Sequence, residues 1–259
     1  MTHWPEDALS RDGFLGGRLT MLQPVKGYRA GNDPVLLAAS VPARAGQTLL
    51  DLGCGVGTAA LCVGARVQGM SLAAVERQPA YAELAERNAK VNGISLDVSC
   101  ADLTQLPAAL RQKQFDHVIA NPPYFRAGAH AASQDAGRAA GRGEETPLAA
   151  WIEIAAKRLR ARGTLHLIQA IDRLPETLSA AQTCLGSMEI LPLTSREGRA
   201  PERFILRAIK GGRAAFRLLP PLILHEGGAY ETGGSAYTIE INSVLRDGSA
   251  LKWPKGAKD

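Results

Sequence analysis

The 259-residue chain contains no run of about 18 apolar residues, so its sequence predicts no membrane span. Its opening stretch, MTHWPEDALSRDG, lacks the positive start and apolar core of a secretory leader. Cysteine is scarce: Cys54, Cys62, Cys100 and Cys184 form no CxxC pair and no metal-ligand spacing. The expectation is reduced, mostly buried thiols in a cytoplasmic protein, with no bound metal. There is no internal repeat and no low-complexity linker. Hydrophobic residues make up 46% and charged residues 21%, the ordinary balance of a globular chain long enough to bury a sizeable core.

Positive charge is present but unevenly placed. Residues 1–110 carry 9 Lys/Arg against 10 Asp/Glu, residues 111–217 carry 17 against 10, and residues 218–259 carry 4 against 5. Arg outnumbers Lys 22 to 8. The planar guanidinium fork suits phosphate, so the basic middle segment favours a polyanionic partner. A solvated basic surface would give the same count.

Strand-like and helix-like patterns alternate. Apolar runs at 47–53, 70–78, 94–102, 115–121, 164–170, 188–195 and 203–210 predict seven strands. Helices are expected at 58–67, at 79–93 (Tyr81, Leu84, Ala85, Asn88 and Val91 along one stripe), from Pro147 behind a Thr146 cap to Gly163, and near 172–185. Such alternation predicts a parallel sheet covered on both faces. Before it, residues 1–46 read as a hairpin and one helix packed on the core; residues 47–259 read as one domain. Residues 126–145, rich in Ala, Gly and Arg, form an unusually long connection, a length typical of binding loops.

The first chemical signal is LLDLGCGVGTA at 49–59. Gly53, Gly55 and Gly57 after a strand allow a tight turn and close approach of a ligand to main-chain amides. The dinucleotide fingerprint would need a glycine where Thr58 stands. The next two strands end near Glu76 and Asp102. In an open parallel sheet, Asp51, Glu76 and Asp102 would then share one crevice. Three acids repel a pyrophosphate but suit the ammonium, sulfonium, ribose diol and adenine amine of S-adenosylmethionine. Each acid also has a local explanation: a turn cap for Asp51, a surface charge for Glu76, a helix N-cap for Asp102.

DLGCGVG, AAVE, CADL and NPPYF, in this order and spacing, resemble the class I S-adenosylmethionine-dependent methyltransferases that modify amino groups. The flanks RLTMLQPVKGYRAGNDPVLLAASVP, WIEIAAKRLRARGTLHLI and LLPPLILHEGGAY resemble the bacterial tRNA adenine-N6 methyltransferases, which act on the adenine beside the anticodon of a valine tRNA. The resemblance spans roughly residues 15–250. It implies a Rossmann-like α/β fold with a mostly parallel seven-stranded sheet, an antiparallel last hairpin, and helices on both faces. It also implies S-adenosylmethionine as cofactor, S-adenosylhomocysteine as product and tRNA as substrate. In that family the helix beginning at Asp33-Pro34 closes over the cofactor, which would bring Asp33 or Arg29 near its methionine end; Asp33 also reads as a plain helix start.

NPPY has its own chemical logic. An exocyclic amine on adenine is a poor nucleophile because its lone pair is delocalised into the ring. Two acceptors, the Asn121 side-chain oxygen and the Pro122 carbonyl, would favour a more tetrahedral nitrogen beside the cofactor's methyl. Pro122 and Pro123 stiffen the turn and so preorganise both acceptors. Tyr124 offers a face for a flipped base, with Phe125 as a second wall. Arg126, Arg138 and Arg142 are candidate phosphate contacts, as are Arg196, Arg199 and Arg203 in the later turn. His117 is expected to be a packed histidine. A protein glutamine-N5 methyltransferase or an rRNA guanine-N2 methyltransferase would use the same turn. A DNA adenine methyltransferase lacks a counterpart here for its recognition insert, and an RNA-binding relic would not need Asn121 and Tyr124.

Overall fold

A computed structural model describes residues 3–124, 146–228 and 236–254. An antiparallel hairpin comes first, β1 (Leu9–Phe14) with β2 (Leu19–Pro24), followed by α1 (Asn32–Ser40). Then come β3 (Thr48–Leu52), α2 (Thr58–Arg66), β4 (Ser71–Glu76), α3 (Pro79–Val91), β5 (Asp97–Cys100), the short α4 (Ala108–Gln112) and β6 (Phe115–Ala120). After residue 145 follow α5 (Leu148–Arg158), β7 (Leu159–Ala170), α6 (Leu174–Ala181), β8 (Gly186–Thr194), β9 (Arg203–Ile209), β10 (Arg217–Leu218), β11 (Leu222–Ile223) and α7 (Ile239–Asp247).

The main sheet runs β10-β8-β9-β7-β6-β3-β4-β5, with β11 also on β8. β3, β4, β5, β6 and β7 are mutually parallel, while β9 pairs antiparallel with both β7 and β8. The seven expected strands are all present. Two additional two-residue strands, β10 and β11, pair parallel with the free edge of β8. Two residues are too short to leave an alternating pattern, and prolines at 220 and 221 separate them.

The strands are continuous apolar runs because both faces are covered. Leu49 and Ile119 face one core with α1, α2, α3, α7 and the hairpin; Leu50, Leu52, Val118 and Ala120 face the other with α5 and α6. Side chains alternate along each strand, so Asp51 shares the face of Leu49.

Several boundaries differ from expectation. The predicted third strand, 94–102, is ordered as strand only over Asp97–Cys100, so Asp102 lies beyond its end. The helix expected to reach Gly163 stops at Arg158; the backbone turns extended at Leu159, whose side chain stays buried in β7. Thr146 makes no cap bond to that helix, whose N-cap is Pro147. The helix expected near 172–185 is preceded by a 3-10 turn, Ile171–Arg173, and regular only over Leu174–Ala181. Val91 of the predicted apolar stripe is 47% exposed.

Asn88, on the same stripe, is fully buried but makes a polar connection. Its Oδ1 accepts the Leu22 amide at 2.7 Å, and its Nδ2 donates to the carbonyls of Leu22 and Val56 at 3.0 Å each. One turn on, Asn92 accepts the Thr20 amide and donates to the Thr20 carbonyl, each at 2.8 Å. Four helical residues rise about 6 Å and two strand residues about 6.7 Å. Two amides spaced i, i+4 can therefore pair the open edge of β2 as a neighbouring strand would. The hairpin is thereby tied to α3, and through Val56 to the glycine turn.

Candidate active site in the strand-end crevice

The ladder aligns three strand tips. Leu52 pairs with Val75 on one side and Ala120 on the other, so Gly53, Glu76 and Asn121 stand in neighbouring positions at the carboxyl edge. Glu76 pairs in turn with Cys100, two residues before Asp102.

Gly53, Gly55 and Gly57 have φ of +66°, +55° and +84°, a region L side chains avoid. A Cβ on Gly53 would lie 2.4 Å from Cη2 of Trp151, and one on Gly55 would lie 3.4 Å from the Tyr28 ring. The turn thus runs between two aromatic rings, with Gly57 opening α2. Glu76 holds it from β4: one carboxylate oxygen accepts the Gly55 amide and the other the Gln78 amide, each at 2.9 Å. Asp51 accepts the Ala60 amide at 3.2 Å in the first turn of α2.

These carboxylates are buried, with Asp51 3% and Glu76 8% exposed. Loss of water raises the Asp51 pKa to about 8, against the Ala60 hydrogen bond and with help from the Glu76 charge. Burial also raises Glu76, opposed by its amide donors. Tyr28, whose side chain is partly open to solvent beside Gly55, has its hydroxyl pushed up to about 12 by lost hydration and then by the Asp33 and Asp51 charges. Burial penalises any ion, but the carboxylate charges that raise Tyr28 and Asp51 further are ones a bound cation would offset. The glycine cradle and paired acids therefore fit the ammonium and sulfonium of S-adenosylmethionine and disfavour a pyrophosphate.

Asp102 is more exposed. It caps a 3-10 turn, accepting the Thr104 amide and hydroxyl at 2.8 and 2.7 Å, and these bonds hold its pKa below the usual range. This matches its local N-cap explanation, and its second oxygen has no hydrogen bond among the described residues.

Asn121 follows the last residue of β6 and is half-buried. Among the described residues no hydrogen bond engages its side-chain amide. Pro122 is buried, and the carbonyls of Pro122 and Pro123 both face Nε2 of the fully buried Gln169 at 3.4 Å. Gln169 is itself oriented through its Oε1, which accepts the Ala170 amide at 2.8 Å. The Tyr124 hydroxyl donates to Asp33 at 2.6 Å; burial, then the Asp33 charge, keep it protonated far above its ordinary range.

Asp33 stands in the first turn of α1, as its reading as a helix start expects. It makes no cap bond at the start of α1; its oxygens hold Tyr124 and Arg203. Arg29 is bonded to Ser10, Asp12 and the Pro24 carbonyl of the hairpin. Several arginines of the basic segment are likewise bonded within the protein: Arg203 to Asp33, Arg196 to the Glu226 carbonyl, Arg160 to Asp116, Arg207 and Arg217 to Glu189. His117 is packed, as expected, between Gln47 and the His166 ring, and burial lowers its pKa to about 4. Phe125, Arg126, Arg138 and Arg142 lie outside the described residues. Among the described residues no group of three or more His, Cys, Asp or Glu could hold a metal ion. No described helix is long and apolar enough to cross a membrane.

The buried Asp51 has a consequence for pH. Binding a cation favours its carboxylate, so cofactor binding should release a proton at pH 7. Affinity for S-adenosylmethionine should rise several-fold from pH 6 to 7.5 and level off near 8. Asp51→Asn should flatten that rise in calorimetric titrations. In the free protein the folded state holds this proton up to about pH 8, whereas an unfolded aspartate loses it near pH 4. Stability should therefore fall as pH rises through that window, and Asp51→Asn should remove the fall.

Comparison with known proteins agrees with this geometry. The family model described as methyltransferase small domain matches residues 32–182. A tRNA1(Val) (adenine(37)-N6)-methyltransferase of Actinobacillus succinogenes is 31% identical over 204 residues, covering 77% of this chain and 84% of that protein. The crystal structure of a protein of Agrobacterium tumefaciens described as a predicted O-methyltransferase has a TM-score of 0.68 at 28% identity, covering 84% of this chain and 97% of the other. The Thermus thermophilus 16S rRNA N2 G1207 methyltransferase, in complex with AdoMet and guanosine, shares the fold at a TM-score of 0.55 and 21% identity, over 78% of this chain and 50% of its own. The chain belongs to the methyltransferase small domain family and is an S-adenosylmethionine-dependent methyltransferase with the Rossmann-like class I fold.

Proposed function

We propose that the protein methylates the exocyclic N6 of an adenine in a tRNA. The observation that carries this reading is the Asn121 amide, unengaged among the described residues, at the tip of β6, one strand from the glycine turn. The relative from Actinobacillus succinogenes, named for this reaction on tRNA1(Val), supports the choice of acceptor.

S-adenosylmethionine, when bound, supplies the electrophilic methyl group. Asp51, Glu76 and Asp102 line its site, and the turn at Gly53, Gly55 and Gly57, free of side chains, lets it approach the main chain. Asn121 Oδ1 and the Pro122 carbonyl accept the two amine hydrogens and turn the nitrogen lone pair toward the methyl. The Pro122 oxygen has a second lone pair free for this beside its long contact with Gln169. The effect is electrostatic preorganisation. No strong base is needed beforehand, because the nitrogen proton becomes acidic as the new bond forms. Tyr124 provides a stacking face for the flipped base, with Phe125 beside it. Arg126, Arg138 and Arg142 contact flanking phosphates. Residues 1–46 serve as an extension bracing a single domain, 47–259, in a cytoplasmic enzyme.

The test is transfer of labelled methyl to unmodified total tRNA, total rRNA and release factors in parallel, followed by mass spectrometry of the digested products. Label in tRNA, released as N6-methyladenosine, is the expected result. Label only in rRNA guanine or in a glutamine side chain would overturn the assignment.

A further inference from the structure

The NPPY turn is held by side chains from outside it. Gln169 reaches its main-chain carbonyls from β7. On the opposite flank, one Asp33 oxygen accepts the Tyr124 hydroxyl at 2.6 Å, and the other pairs with the Arg203 guanidinium. Asp33 sits in the first turn of α1, Arg203 begins β9, and Tyr124 ends the described part of the turn. Three separated segments therefore meet on one carboxylate. Both partners are partly shielded, with side-chain exposures of 15% for Asp33 and 30% for Arg203, where a charge-assisted bond is stronger than at a wet surface. The neighbouring Asn32 donates to the Tyr237 hydroxyl at 2.6 Å and anchors the start of α1 to the C-terminal part of the chain.

We infer that Asp33 is a positioning residue: it fixes the Tyr124 ring, and through it the Asn121-Pro122 acceptors, while Arg203 fixes Asp33. This rests on the N-methyl transfer proposed above and replaces a direct cofactor contact for Asp33. A tethered hydroxyl leaves the tyrosine ring one orientation before substrate arrives, and a small displacement of the acceptors costs rate steeply.

Two measurements on the full chain test it. In single-turnover methyl transfer to tRNA, Asp33→Ala should slow the step about 30-fold and Tyr124→Phe about tenfold. S-adenosylmethionine affinity should stay within about threefold of wild type in both. Asp33→Asn, which still accepts the hydroxyl, should recover much of the loss. The double variant should be no slower than Asp33→Ala alone. Hydrogen exchange of the peptide spanning Asn121–Tyr124, measured without substrate, should quicken about tenfold in Asp33→Ala and hardly at all in Asp33→Asn. Unchanged exchange in Asp33→Ala would overturn the inference even if wild type methylated no tRNA, a result that would separately overturn the proposed reaction. Additive rate losses, or a large loss of cofactor affinity with the rate intact, would overturn it as well.

Discussion

Asn121→Ala is expected to lower methyl transfer about 10²- to 10³-fold, the usual cost of removing one preorganised polar contact to the reacting centre. Cofactor affinity should change only a few-fold. The split follows from position. Asn121 stands on the β6 tip, while the glycine turn and Glu76 belong to β3 and β4. Its amide is unengaged among the described residues, so removing it leaves no buried partner stranded and should not lower stability. Single-turnover rates and calorimetric titration with S-adenosylmethionine together check both halves. A variant that transfers methyl at the wild-type rate would remove Asn121 from the reaction.

The second large effect concerns stability. Asn88→Leu keeps the volume of the side chain but leaves the Leu22 amide and the carbonyls of Leu22 and Val56 without their partner. Each stranded buried group costs roughly 1–3 kcal/mol, so a loss of about 4 kcal/mol is expected from a total typically about 5–15 kcal/mol. Val91→Ala, one turn along at an exposed site, should stay within about 0.5 kcal/mol. Urea denaturation of the two variants checks the contrast. Because the Val56 carbonyl belongs to the glycine turn, Asn88→Leu should also weaken cofactor binding several-fold.

These two residues show where sequence patterns suffice and where they fail. Asn121 was legible because an apolar strand, a polar tip and two prolines are local features. The glycine turn and Glu76 were legible for the same reason, each marking the end of a buried run. Asn88 lies on the buried stripe its spacing gives, but spacing shows only that a face is buried, not that its contact is an unpaired strand edge. Asp33 and Arg203 lie 91 and 79 positions from Tyr124, and Gln169 lies 47 and 46 positions from Pro122 and Pro123; all three reach the turn only through the sheet order. Tyr28 and Trp151, which wall the glycine turn, likewise leave no local signal. The arginine surplus pointed to phosphate, yet many of these side chains bind carboxylates and carbonyls inside the fold. A charge count cannot separate those two uses.

The most direct measurement is a crystal structure with S-adenosylhomocysteine and adenosine bound together. The account predicts the ribose hydroxyls on Glu76, the adenosine N6 at hydrogen-bond distance, about 3 Å, from both Asn121 Oδ1 and the Pro122 carbonyl, and the cofactor sulfur on the far side of that nitrogen in line for transfer. An Asn121 side chain turned away from the amine, or a nucleoside seated outside the crevice formed by the tips of β3, β4 and β6, would contradict it.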